Sequence, residues 1–342
     1  MSPVLWWRSG WNNASQKGNP EVNRNVLRGR VLVGVALAAL AIAGCGGKNN
    51  SSGGGDKGTE LSGAVIVDGS STVAPLSKAA ADIYKETQSK VNVTVGTSGT
   101  GGGFEKFCKG ETDISDASRK IKDSEKTACE GKGIKWAEFI IANDALSVVV
   151  SKQNTWVDCL TTAQLKKIWD KGSTVKNWKD VDPSFPDQKL DLFGPGTDSG
   201  TFDYFTATIN GKEDQSRADY TASENDNVLV QGVAGSKGGL GYFGFTYAEE
   251  NLDKLKVVKI DGGGGCVAPS VASAQDGTYK PLSRPLFIYA NTKSMADKSQ
   301  VKAFVEFYVE KIDEIVNEAK FVPLTSAQKN ELKADLESAK KA

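Results

Sequence analysis

An α/β fold in two lobes, with a ligand cleft between them, is the architecture this sequence predicts. Three observations point there. The chain has 342 residues, more than one ordinary core accommodates. Apolar runs of strand length alternate with segments of helical spacing. Three Gly/Ser/Thr-rich turns, Asp68–Pro75, Gly96–Gly103 and Gly194–Asp203, each lead into a helix pattern. A flexible, hydroxyl-bearing turn that opens a helix aims free backbone N–H groups at an anion.

Taken in order, Ala64–Val67 is a short apolar run suited to a buried parallel strand. Pro75–Gln88 has helical spacing, with Leu76, Ala79, Ala80 and Ile83 on one face and Tyr84 beside it. Val91–Val95 alternates as a strand does, Phe104–Lys109 begins a helix, and Asp113-Ile114 starts another strand. The opening is therefore β-α-β-α-β, the start of a parallel sheet. Lys135–Ile141 and Leu146–Val150 are the next strands, and Thr162–Trp169 is an amphipathic helix capped by Thr161 or Thr162. Asn177–Pro186, with two prolines, is loop. Lys189–Phe193 is a strand running into the Gly194–Asp203 turn, where Ser199 or Thr201 caps the following helix. Asn227–Val233 is a short helix, and Gly238–Phe245 is a strand whose glycines allow close backbone approach. Lys256–Ile260 is a strand, Gly262–Cys266 a loop, and Pro285–Ala290 a buried strand. Ser299–Ala319 carries the apolar stripe Val301, Phe304, Val305, Tyr308, Ile312 and Ile315 of a long helix, and Thr325 caps a last, charged one.

Residues 1–27 fit no packed element and read as a long lead or a misassigned start. Arg28 and Arg30 precede the apolar Val31–Ile42, which has signal-peptide length and is too short to span a bilayer. Ile42-Ala-Gly-Cys45 follows and resembles a bacterial lipobox, in which the cysteine is acylated and tethers the mature chain to the outer face of the cytoplasmic membrane. The layout divides into a signal segment at 1–45, a flexible tether at 46–60, lobe I at 61–144 plus 260–342, and lobe II at 145–259. The chain crosses between lobes near Asn143–Ser147 and near Lys256–Gly264. Four cysteines remain, in three possible connectivities; export favours disulfides over metal, and no pair has CxxC spacing. Cys108–Cys129 as a local loop and Cys159–Cys266 as a longer closure is the favoured pairing.

Composition excludes several functions. Lysine plus arginine and aspartate plus glutamate each number 42, so there is no nucleic-acid footprint. Histidine is absent, which removes the commonest general base and metal ligand. Asp198-Ser199-Gly200 therefore cannot serve a Ser-His-Asp triad, and Thr197 stands at the first glycine position of GxSxG. GTGGG lacks the Gly-Lys-Ser/Thr of a Walker loop. What the turns suit is a small oxyanion, which needs hydroxyl and N–H donors and little net positive charge. A buried carboxylate accepts the proton of a protonated oxyanion and repels sulfate. Asp113-Ile-Ser-Asp-Ala-Ser-Arg119 supplies candidates.

In order and spacing, GSSTVAP (69–75), TSGTGGG (97–103), DISDASR (113–119), GTDSGT (196–201), GGLGYFGF (238–245) and PLSRPLFIYAN (281–291) resemble the periplasmic or lipid-anchored phosphate-binding proteins of phosphate ABC transporters, over roughly residues 62–325. The resemblance implies a type II periplasmic-binding-protein fold, with two α/β lobes joined by a two-strand hinge. It also implies a non-enzymatic monomer without cofactor or metal, whose partners are inorganic phosphate and permease subunits. Alternatives are another oxyanion (sulfate, molybdate) or a phosphate-sensing or adhesive surface role. Carried over by residue, the first turn supplies Ser71 and Thr72, and the second Ser98, with Thr100 as alternative. The family's carboxylate slot falls on Ser118, with Asp116 the nearest carboxylate. That DASR segment counts as the third turn, and the fourth, Gly194–Asp203, supplies Ser199, Gly200 and Thr201. Many relatives carry an arginine four residues before that serine; here the position is Pro195, and no basic residue lies between Lys189 and Lys212. Arg119 becomes the candidate cation, and Arg284 is assigned to fixing the interlobe region.

Overall fold

The computed structural model describes residues 61–197 and 199–341; the signal segment, Cys45 and the tether lie outside the described residues. In chain order the strands are β1 (Gly63–Gly69), β2 (Val91–Val95), β3 (Ile114–Ala117), β4 (Trp136–Ser151), β5 (Cys159–Thr161), β6 (Asp191–Gly194), β7 (Thr221–Ala222), β8 (Gly239–Gly244), β9 (Leu255–Val257), β10 (Lys259–Asp261), β11 (Cys266–Val267) and β12 (Ser283–Asn291). The main sheet runs β2-β1-β3-β12-β4-β8-β6-β7, with β9 also on β4, and β11-β10-β5 forms a small second sheet. β1 is parallel to β2 and β3, as helical crossovers require. Its Val65 and Val67 face the core while Ile66 faces solvent.

One strand organises the rest. β4 is 16 residues long. Trp136–Ala145 pairs antiparallel with β12, and Leu146–Val150 pairs with β8. Two cores lie along it. The first contains Val65, Leu76, Phe139, Ile288, Phe304 and Tyr308; the second contains Leu146, Trp169, Trp178, Leu192, Phe205 and Tyr242. The sequence suggested two separate strands here because Asn143-Asp144 interrupts the apolar run. Both polar side chains instead find distant partners. Asn143 Nδ2 donates to the Pro323 carbonyl (3.3 Å) and Gln328 Oε1 (3.2 Å), and Asp144 Oδ2 accepts from Arg284 Nε (3.3 Å). Satisfied this way, the strand runs on from core to core.

Other expectations shift for similar reasons. Val258, Ile260, Ala274, Tyr279 and Leu282, which follow the expected crossing or lie on it, all pack in the second core. Lys256–Ile260 divides into β9 on β4 and β10 on β5. Asn177–Pro186 contains a short helix, Trp178–Val181, started by Asn177 Oδ1 accepting from Lys179 N (2.9 Å) and anchored by buried Trp178. The long C-terminal helix breaks at Lys311 into Ser299–Glu310 and Ile312–Glu318. Among the described residues no helix is long and apolar enough to cross a membrane.

Both favoured disulfides are present, Cys108–Cys129 and Cys159–Cys266. The second ties β5 to β11 across 107 residues of sequence, at the edge of the second core. Replacing Cys159 and Cys266 by serine is expected to lower the unfolding free energy by about 2–5 kcal/mol, read from denaturant titration; an unmoved midpoint would show that the second core holds without it.

Asp116, a candidate ligand in the sequence, is fully buried and faces helix Ala74–Thr87, where its Oδ1 accepts from Ser77 Oγ at 2.8 Å. The cause is strand geometry: Asp116 lies inside β3, whereas Ser118 lies past its end and turns to meet Thr100, with 3.1 Å between the two hydroxyls. Burial pushes Asp116 up from 3.8 to about 8, with nearby Asp68 adding to the shift against the Ser77 hydrogen bond. The folded state thus holds a proton that the unfolded chain releases near pH 4. This group's stabilisation is complete below about pH 4 and is lost as pH rises to about 8. Asp116→Asn keeps a neutral acceptor for Ser77, so its melting temperature should fall less between pH 5 and pH 8.5 than the parent's. Parallel profiles would place the carboxylate elsewhere.

Candidate functional site

The first turn is built on a close approach. Gly69 has φ +148°, and a Cβ there would overlap the Asp116 carbonyl. The same carbonyl accepts from Ser70 N at 2.9 Å, while Ser70 O accepts from Val73 N (3.2 Å) and Ala74 N (3.0 Å). The turn thereby opens helix Ala74–Thr87, with proline in its first turn. Ser71 and Thr72 are left at the apex.

The second turn is held by a carboxylate. Ser98 N (2.9 Å) and Oγ (2.7 Å) both donate to Asp68 Oδ1, and Lys106 of helix Gly99–Cys108 pairs with the other oxygen. Burial would raise Asp68, but the hydrogen bonds from Lys106 and Ser98 outweigh it and hold the group below its ordinary value. Thr100 Oγ1 also accepts from Ser118 N at 3.2 Å. These contacts bring Ser98, Thr100 and Ser118 beside the first turn.

The fourth turn comes from the second core. Ser199 Oγ accepts from Thr201 N at 3.2 Å and starts helix Gly200–Phe205. Gly200 abuts Thr72 so closely that a Cβ would overlap the Thr72 amide. Thr72 Oγ1 donates to Gly200 O (3.1 Å), and Ser71 Oγ donates to Asp203 Oδ2 (2.8 Å). Arg284, on β12, completes the junction. Its Nη2 donates to Thr72 Oγ1 at 2.9 Å, its Nε reaches Asp144, and its guanidinium carbon lies 3.5 Å from the centre of the Tyr204 ring.

Two cavities flank this junction and share Ser71 and Thr72 as a wall. The larger, about 760 Å³, is lined on the side of the first core by Ser98, Thr100, Ser118 and Arg119, and on the other by Asp203, Thr208 and Glu213, with Arg284 between. The smaller, about 460 Å³, takes in Ser199, Gly200 and Thr201 with Lys78 and Lys320. Of the residues expected from sequence, Ser71, Thr72, Ser98, Thr100, Ser118 and Arg119 therefore share one cavity. Ser199, Gly200 and Thr201 lie across the Ser71–Thr72 wall, and Asp116 lines neither cavity.

Three lining residues escaped the sequence reading. Asp203 and Tyr204 stand immediately after the fourth turn, one helical turn from its cap, which is the signal that could have found them. Arg284 could have been found as a guanidinium inside an otherwise apolar strand, because a half-buried arginine needs a nearby acceptor or an anion.

Comparison with known proteins agrees with this architecture. The profile described as the PBP superfamily domain matches residues 54–311. "Protein SphX" of Synechococcus elongatus is 49% identical over 76% of this chain and 77% of its own length. "Phosphate-binding protein PstS" of Staphylococcus saprophyticus is 41% identical over 88% of this chain and 91% of its own. The crystal structure of a possible phosphate binding protein from Planctomyces limnophilus superposes with a TM-score of 0.78 at 47% identity, over 82% of this chain and 99% of that one. With its fold, its junction between two cores and these relatives, the chain belongs to the PBP superfamily, in the family of the PstS phosphate-binding proteins.

Proposed function

We propose that this chain binds inorganic phosphate outside the cytoplasmic membrane and delivers it to the permease subunits of a phosphate ABC transporter, by binding alone and without chemical turnover. The observation that carries the reading is the junction: the Ser71 and Thr72 hydroxyls donate across it to Asp203 and the Gly200 carbonyl, beside a cavity that also holds Thr100, Ser118 and a guanidinium. An anion entering there takes over those donors, so that hydroxyls replace its hydration shell and the lobes close on it. The relatives, phosphate-binding proteins by name, support the choice of anion. Residues 61–144 with 283–342 form one lobe and 145–282 the other, and β4 and β12 are the strands that pass between them. A monomer tethered by lipid on Cys45 fits capture at the outer membrane face.

Selection against sulfate falls to Asp203. Burial pushes its carboxyl up to about 6, with Glu213 and Asp214 adding to the shift against the Ser71 hydrogen bond and Arg284. Once ionised it accepts the proton that hydrogen phosphate carries; sulfate, with no proton to give, meets a bare negative charge. The acceptor works above about pH 6 and fails below it.

Calorimetric titration with phosphate and then sulfate, at pH 5 and pH 7.5, tests the reading. One-to-one phosphate binding that weakens at pH 5, with no sulfate heat, is expected. Asp203→Asn should lose about 10–100-fold in phosphate affinity and narrow the preference over sulfate. No phosphate heat at either pH would defeat the functional reading, and unchanged selectivity in the variant would remove Asp203 from the role.

A further inference from the structure

Four cationic side chains line the larger cavity: Arg119, Lys120, Lys122 and Arg284. Hydrogen bonding and exposure separate them. Arg119 is spent at the rim. Its Nη1 and Nη2 meet the two Glu125 oxygens at 2.9 and 2.8 Å, a bidentate pair, and Nη1 also reaches Lys120 O at 3.2 Å. Lys120 pairs with Glu138 at 3.2 Å with its side chain 69% exposed, and Lys122 is exposed. Water screens both.

Arg284 differs on every count. Its side chain is only 18% exposed. Its carboxylate contact is single and long, Nε to Asp144 Oδ2 at 3.3 Å, and Nη2 is hydrogen-bonded to Thr72, itself a hydroxyl of the junction. Among the described residues Nη1 has no hydrogen-bond partner. The Tyr204 ring beneath the guanidinium fixes its plane. It thus reaches the first turn, the through-strand β4 and the helix after the fourth turn at once.

We infer that Arg284, and not Arg119, is the cation that meets the bound anion, taking the place of the arginine missing at Pro195 from a different element of the fold. This rests on the phosphate reading and deepens it. Asp144 orients the guanidinium from behind, leaving the far edge of the fork for ligand oxygens. Because Arg284 touches Thr72 on one side and Tyr204 on the other, an anion held there draws both lobes onto one charge.

The test is titration with inorganic phosphate of the full chain and of Arg119→Gln, Arg284→Lys, Asp144→Asn and the double variant Asp144→Asn/Arg284→Gln. The double variant avoids leaving Asp144 buried and unpaired, which Arg284→Gln alone would do. Relative to Asp144→Asn, the double variant should lose about 100-fold in affinity, and Arg284→Lys should fall between, keeping charge without the fork. The Arg119→Gln loss should be at least about tenfold smaller than that of the double variant. A double variant within about threefold of Asp144→Asn, or a larger loss from Arg119→Gln, overturns the assignment. If the parent itself gives no phosphate heat, the functional reading fails and the assignment falls with it, a result distinct from a parent and double variant that bind alike.

Discussion

The approach of the fourth turn to Thr72 is the constraint on which the rest of the structure depends. Two turns from two separate cores meet at Gly200, where a Cβ would overlap both the Thr72 amide and its hydroxyl. Glycine is required there by space and not by backbone angle. The two cores that bring these turns together are linked by β4, whose two halves pair with different partners. Asn143 and Asp144, at the point of transfer, are the polar residues that let a strand leave one core for another without unsatisfied groups.

From that meeting follows a charge pattern. On the side of the first core the larger cavity offers hydroxyls; across from them stand Asp203 and Glu213, with Arg284 between. A ligand suited to both walls must be anionic toward one and donate a hydrogen bond to the other. A protonated oxyanion is the simplest species with both properties. Asp68 works one layer back: it orders the second turn through Ser98 and Lys106, and that ion pair is partly solvated, so its value lies in geometry more than in energy.

Much of this was legible in the sequence, for identifiable reasons. The strand-turn-helix units could be read because glycine, serine and threonine punctuate apolar runs locally. The caps at Thr161, Ser199 and Thr325 obey the same local chemistry. What was not legible depended on partners far along the chain. β4 looked like two strands because the groups satisfying Asn143 and Asp144 lie more than a hundred residues away. Asp116 was a candidate because it is the carboxylate nearest the family's slot at Ser118, and only the end of β3 at Ala117 separates the two. Arg284 was assigned to the framework, and it does belong to the framework, through Asp144. Its place in the cavity became visible only once β12 was seen to run along β4 beneath Thr72.

A crystal structure of the protein grown with phosphate tests the central claim most directly, because it locates the anion. The account predicts one tetrahedral anion at the junction, with oxygens in hydrogen-bond reach of Thr72 and Arg284 and a protonated oxygen toward Asp203. An anion found only beside Arg119 at the rim, or only among Lys78, Lys320 and the Ser199–Thr201 turn away from Arg284, would contradict it.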